Sequence, residues 1–204
     1  LPVSARSHGA LVAMVDRYRG MLGQAGSEQL DAVCATAALR RTAHGHRVAV
    51  VGRDAATLVS GLTEAAARAP IRPRLEPPRV VFVFPGQGSQ WPAMGRSLWA
   101  QSPVFQEAVQ ACDAALLPYT GWSVATVLRG DSNDTPPLTR VDVVQPALFT
   151  MGVALAAVWR SLGVEPSAVV GTSQGEVAAA VVAGALSIED GALIVALRSQ
   201  LLVP

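Results

Sequence analysis

Pro166-Ser-Ala-Val-Val-Gly-Thr-Ser-Gln-Gly-Glu-Val-Ala-Ala-Ala-Val-Val-Ala-Gly-Ala-Leu186 is the stretch on which the fold turns. Ser167 to Val170 has the small and β-branched make-up of a short buried strand, and Glu176 to Ala183 is rich in Ala, the best helix former. Between them Gly171-Thr-Ser-Gln-Gly175 fits G-x-S-x-G. Strand, sharp turn and helix around that pattern make a nucleophile elbow, in which the central Ser is held in a strained conformation with its hydroxyl pushed outward. Glycines are needed on either side because strand and helix come close there. Ser173 is therefore a candidate nucleophile. The next amide, on Gln174, opens the helix and can donate to a developing oxyanion with the helix dipole behind it. The plainer account of the same residues is a Gly-rich turn whose Ser caps the helix.

Downstream, Ser187-Ile-Glu-Asp190 resembles a capping box, and the helix behind it, from Gly191 to Leu202, sets Val195, Arg198 and Leu202 on one row. Arg198 thus lies at the edge of an apolar stripe. A buried guanidinium needs an anion, either a protein carboxylate or an acidic ligand; reaching out to solvent is the competing account.

Upstream, Arg79-Val-Val-Phe-Val-Phe84 is a continuous apolar run of strand length, of the kind buried on both faces of a parallel sheet. It feeds the Gly-rich loop Pro85-Gly-Gln-Gly-Ser-Gln-Trp91, placed where an open α/β sheet binds its ligands. The loop has neither a Walker nor a dinucleotide pattern, so its better use is an exposed backbone N–H, that of Gln87. Helices are predicted from Pro103 to Leu116, Ser123 to Leu128 and Gln145 to Leu162, the last with Pro146 in its first turn. Right-handed crossovers and a parallel sheet follow.

Ala69 to Pro78 holds four prolines in ten residues, which predicts an extended linker and a domain boundary. Before it, helices from Ser7 to Leu22 and Ser27 to Arg41, a strand at Arg47 to Gly52 and a helix from Asp54 to Arg68 make a small α/β unit. The second helix is predicted to bury Leu30, Val33, Cys34, Ala37, Ala38 and Leu39. His44-Gly-His46 has metal-like spacing but no acidic or thiol partner nearby, and reads as a solvated turn.

The fold class is α/β in two domains, 1–77 and 78–204. With 204 residues, half of them hydrophobic, 15% charged and a net charge of +1, the chain carries no nucleic-acid signature. Cys34 and Cys112 match no metal spacing and are expected as buried thiols in a reducing cytosol; no metal is expected. The longest apolar runs, around Val177 to Leu186, are too short to span a bilayer, so the expectation is a cytoplasmic protein with no membrane partner. The first residue is Leu rather than Met, which reads as an excised piece of a longer polypeptide.

Leu1-Pro-Val-Ser-Ala-Arg6, Phe84-Pro-Gly-Gln-Gly-Ser-Gln-Trp91, Arg140-Val-Asp-Val-Val-Gln-Pro-Ala147, Gly171-Thr-Ser-Gln-Gly-Glu176 and Gly184 to Gln200 together resemble the acyltransferase domain of a modular polyketide synthase. By the same likeness, residues 1–77 resemble the ketosynthase-to-acyltransferase linker, and 78–204 the first part of an α/β-hydrolase-like core. The resemblance implies that Ser173 takes an acyl group from acyl-CoA and passes it to the phosphopantetheine thiol of an acyl carrier protein, beside a ketosynthase domain. It implies oxyanion amides at Gln87 and Gln174, and an Arg198 that clamps the free carboxylate of a malonyl-type unit. Arg140-Val-Asp-Val-Val-Gln145, and Gln rather than an aliphatic residue at 174, resemble the methylmalonyl-selecting subgroup, so substrate contact is expected at Gln145 and methylmalonyl is the favoured extender. No cofactor is expected on the domain itself.

Two departures bear on the chemistry. Thr172 stands where the family usually has His. The family's general base is a histidine about a hundred residues beyond the elbow, and the three histidines here all lie in 1–77, so the chain alone is expected to be inactive. Two alternatives remain open: a serine hydrolase or thioesterase-like enzyme, and a non-catalytic scaffold piece of the synthase.

Overall fold

The computed structural model describes residues 1–24, 26–68, 79–131 and 135–203. The chain divides into two compact units, Leu1–Pro78 and Arg79–Pro204. The proline-rich linker predicted at 69–78 lies outside the described residues.

The first unit begins with a strand that the sequence reading did not contain. β1 (Pro2–Ala5) pairs antiparallel with β2 (His46–Ala49) in the register Pro2↔Ala49 to Ala5↔His46. The Leu1 amine donates to Val50 O at 2.8 Å and ties the chain end to the sheet. α1 (His8–Leu22) starts where Ser7 accepts from the Ala10 N–H, and α3 (Ala55–Ala67) where Asp54 accepts from Thr57 N at 2.7 Å. These caps satisfy amides that the first helical turn leaves free. Val3, Leu11, Val15, Leu22, Leu58 and Leu62 close the core between sheet, α1 and α3.

α2 (Ser27–Leu39) lies flatter on this core than its pattern predicts. Of the six residues predicted to be buried only Ala37 is; Leu30, Val33 and Cys34 are half-buried, and Ala38 and Leu39 are exposed. The expected burial of those last two and of the Cys34 thiol is corrected accordingly. Apolar spacing marks a stripe, and the neighbouring elements decide how much of it is covered.

In the second unit β3 (Val81–Phe84) and β4 (Ala168–Gly171) pair in parallel, Val81↔Ala168 through Phe84↔Gly171. The expectation of burial on both faces fails. Val81 and Val83 are 47% and 66% exposed, while Phe82 and Phe84 pack inward. Period-2 alternation places Val81, Val83, Ala168 and Val170 together on the open face.

Around the inner face run α4 (Arg96–Gln101), α5 (Pro103–Thr120), α6 (Val124–Arg129), α7 (Val141–Ser161), α8 (Gly175–Val182) and α9 (Ile188–Gln200). α4 was not foreseen. α7 begins four residues earlier than predicted, because Arg140 and Asp142 form a bidentate pair at 3.1 and 2.6 Å across its first turn. Pro146 therefore sits inside the helix rather than at its start.

By length and composition α7 could cross a membrane, with a mean hydropathy of 1.7, so the expectation that no apolar run is long enough is corrected. In this fold it is a core helix. It packs against α5, α8 and α9 and buries Val143, Val144, Ala147, Phe149 and Ala154.

Cys112 on α5 is fully buried, and desolvation pushes its thiol up to about 12, with the Asp113 and Glu189 charges adding. Such a thiol carries almost no thiolate at neutral pH and does not alkylate. Iodoacetamide mass labelling of the native chain is expected to stop at one modification, on half-buried Cys34, with the second appearing only in denaturant.

Ala93 has φ 59°, a left-handed conformation that a Cβ disfavours. Its loop is fixed in place, since Gly95 N donates to Leu128 O at 2.9 Å and Arg96 clamps the end of α6 through Arg129 O and Gly130 O, both at 2.8 Å. Ala93→Gly is expected to raise stability by about 0.5–1 kcal/mol, read as a higher urea midpoint at unchanged slope.

Candidate active site

The elbow is built as the glycines require. Thr172 N donates to Phe84 O at 3.0 Å, so β4 runs in register to its last residue before the chain turns. Ser173 follows at φ 54°. A Cβ on Gly171 would strike the Glu176 backbone, and one on Gly175 would strike the Phe84 carbonyl. Only glycine lets strand and helix approach this closely on both sides of the strained serine. Gln174 is the first residue of the turn into α8.

Ser173 is exposed, with its hydroxyl free of any helix-capping bond. The capping account of this serine therefore fails: Ser173 does not cap α8. The loop after β3 runs alongside, and a Cβ on Gly86 would lie 3.7 Å from the Ser173 Cβ. Among the described residues the backbone amides of Gln87 and Gln174 donate to no protein acceptor. The Gln174 side chain is 2% exposed, and its amide Nε2 holds the loop by donating to Pro85 O at 3.2 Å.

Arg198 comes from α9. Its Nη1 donates to Gln145 Oε1 at 2.7 Å, and its Nη2 lies 3.5 Å from the Ser173 Oγ. Gln145, 4% exposed in the first part of α7, is a buried post that aims the guanidinium at the serine. No carboxylate pairs with Arg198 among the described residues, and the side chain is exposed rather than buried in the apolar stripe. Leu202 falls beyond α9 and is also exposed, so the predicted row ends at Arg198.

Ser173, Gln87, Gln174, Arg198 and Gln145 thus come from four chain segments. The Arg198–Gln145 bond, across 53 residues, was invisible in the sequence. So was Gly86, whose only signal was its place in the Gly-rich loop. Thr172, where the family usually has His, is exposed beside the serine. Among the described residues no group of three or more His, Cys, Asp or Glu could hold a metal.

Residues 81–204 match the family described as acyl transferase domain, and residues 1–62 match that described as CurL-like, PKS C-terminal. The chain belongs to the acyl transferase domain family.

Relatives of this acyl transferase chain include the spectinabilin polyketide synthase system protein NorA of Streptomyces orinoci, 50% identical over 98% of this chain and 11% of its own length. The erythronolide synthase EryA2 of Saccharopolyspora erythraea is 46% identical over 99% of this chain and 6% of its own. The chain therefore spans about a tenth or less of these relatives. Among solved structures, the acyltransferase domain from module 8 of the salinomycin polyketide synthase is 42% identical with a TM-score of 0.76, covering 98% of this chain and 48% of that one. The acyl transferase domain of SpnD in complex with 2-(pent-4-yn-1-yl)malonyl is 33% identical with a TM-score of 0.78, again over 98% and 48%.

Proposed function

We propose that the chain carries the nucleophile and the carboxylate clamp of a polyketide synthase acyltransferase that moves a malonyl-type unit from acyl-CoA to an acyl carrier protein. The observation that carries this reading is the Arg198 guanidinium, fixed by Gln145 at 2.7 Å and standing 3.5 Å from the Ser173 hydroxyl. A cation beside a nucleophile is of no use to a neutral acyl chain. It suits an acyl group with a second, free carboxylate, which a guanidinium can take with two parallel hydrogen bonds. The substituted malonyl bound to SpnD is of that class.

In the reaction the Ser173 Oγ attacks the thioester carbonyl and passes its proton to a base. The carbonyl oxygen becomes an oxyanion between the Gln87 and Gln174 amides, and the CoA sulfur leaves and takes up a proton. A phosphopantetheine thiol then attacks the acyl-serine by the same steps in reverse. Residues 79–204 contain no histidine, so the base comes from elsewhere and the 204-residue chain alone is expected to turn nothing over. No cofactor takes part in these steps. An adjoining ketosynthase is the proposed neighbour of the first unit, in line with its match to a polyketide synthase region.

Methylmalonyl is the proposed preference, on the strength of the segment Arg140 to Gln145 and of Gln174. One methyl group is worth only about 1–3 kcal/mol in a pocket, so both units should load.

The test joins the chain to the remainder of the salinomycin module 8 domain and measures intact mass after incubation with malonyl-, methylmalonyl- or acetyl-CoA. One acyl group is expected from each dicarboxylic thioester, mapping to the Gly171–Gly175 peptide and discharged by carrier protein. Absence of the adduct overturns the reading, and discharge by water as fast as by carrier protein assigns a hydrolase instead. In the same protein Arg198→Ala is expected to lower kcat/KM for malonyl-CoA about 100-fold and for acetyl-CoA less than about tenfold.

A further inference from the structure

The Gln174 side chain runs back from the turn into α8 to the loop after β3, where its Nε2 donates to Pro85 O across 89 positions of sequence. Among the described residues this is the one hydrogen bond that ties residues 85–91 to the rest of the chain. The other bond of the segment is internal. Gly88 N donates to Gln90 Oε1 at 2.9 Å and braces the turn in which Gly88 has φ 126°. Gln87, whose amide is the proposed partner of the Gln174 amide at the oxyanion, lies two residues from the moored carbonyl. A loop braced within itself and held at its root moves as a piece, so a shift at Pro85 is carried to the Gln87 N–H. Little room exists for one, since a Cβ on Gly86 would stand 3.3 Å from Thr172 O and 3.7 Å from the Ser173 Cβ.

Two observations separate this mooring from contact with an acyl group. The Gln174 side chain is 2% exposed, although Ser173 next to it is exposed. The groove of about 420 Å³ that it borders is lined by Pro85, Ser89 and Trp91 of the same loop, and by none of Ser173, Arg198 and Gln145. A third observation says why an amide stands there at all. Gln174 Oε1 is buried with no hydrogen-bond partner, a defect that Leu or Met would not bring. What Gln supplies over either is the donor to Pro85 O.

We infer that the Gln174 side chain is a positioning residue for acyl transfer: it moors the loop that carries the Gln87 amide, and so sets the rate for every extender alike and not the choice among them. The inference rests on the acyl-transfer reading above. Donors to an oxyanion act only when placed at hydrogen-bond distance from the developing charge, and a misplacement of about 1 Å costs up to about 100-fold in rate.

Gln174→Met tests this, because it keeps the apolar bulk and gives up both the donor and the unpaired acceptor. In the 204-residue chain the backbone order parameters of Gln87 to Ser89 are expected near 0.85 in the parent and below about 0.6 in the variant, with a urea midpoint equal to or above the parent's. In the protein extended with the remainder of the salinomycin module 8 domain, kcat is expected to fall about 10- to 100-fold for malonyl- and methylmalonyl-CoA alike. KM should stay within about twofold of the parent's, and so should the ratio of kcat/KM between the two thioesters. Should Gln174→Met fail to fold, Gln174→Leu is read in the same way. The inference alone is overturned by loop order that does not differ between parent and variant, by an unchanged kcat, by a lowered urea midpoint, which marks a merely structural role, or by a larger change in the ratio, which marks contact with the extender. A parent protein that takes up no acyl group overturns the acyl-transfer reading and this inference with it.

Discussion

Ser173→Gly is expected to do two opposite things: to remove acyl transfer and to make the chain more stable. Ser173 sits at φ 54°, where a Cβ crowds the backbone and glycine does not. Giving up that strain, less the extra entropy glycine carries in the unfolded chain, is worth about 0.5–1 kcal/mol. Losing the nucleophile costs at least about 10⁴-fold in transfer by the extended protein, with any residue of activity coming from substrate binding and the oxyanion amides alone. Ser173→Ala separates the two effects, since it loses the hydroxyl and keeps the Cβ. It should abolish the adduct with no gain in urea midpoint. The stability half can be read on the 204-residue chain, which needs no catalysis, and Ala93→Gly gives the size of the same relief away from the site. A Ser173→Gly chain less stable than its parent would mean that the turn is not strained, and the case for a poised hydroxyl would lose its footing.

Much of this arrangement was legible in the sequence because local chemistry decides it. Ser7, Asp54, Ser123 and Ser187 announce four helices by side chains that accept from the amide three residues on, and the structure has all four bonds. The elbow was readable from its motif, and Gly171 answers to the Glu176 backbone five residues on, although Gly175 answers to the distant Phe84 carbonyl. What escaped was long-range. β1 is four residues of no evident pattern, and becomes a strand only by pairing with His46–Ala49. The Val81–Phe84 run reads as doubly buried, but among the described residues the core packs only on its Phe82 and Phe84 side, which composition does not reveal. The site divides on the same line. Ser173 and Arg198 stood out by motif and spacing, while the bond that aims Arg198 joins it to a residue 53 positions away.

Gly175→Ala sets local preference directly against tertiary contact, and the contact is expected to win. Gly175 is the first residue of α8, where Ala is the better helix former by about 1 kcal/mol and where propensity alone predicts a gain. Yet a Cβ there would meet the Phe84 carbonyl and lie 2.8 Å from Pro85 O. Neither carbonyl is free to retreat. Phe84 O accepts from Thr172 N at 3.0 Å, and Pro85 O accepts from the Gln174 side chain at 3.2 Å. Moving either one breaks a bond that holds the elbow to β3, so the collision must be relieved by parting strand from helix. The expected loss is about 3–5 kcal/mol, a large share of the roughly 5–15 kcal/mol a domain possesses, and visible as an early urea transition and rapid proteolysis. Gly88→Ala provides the comparison. Its Cβ would meet nothing within 4 Å, although its φ of +126° still disfavours a side chain, and it should cost only about 1 kcal/mol. If Gly175→Ala proved as mild as Gly88→Ala, or stabilising, the close approach of α8 to β3 would be wrong, and with it the strained turn that presents Ser173.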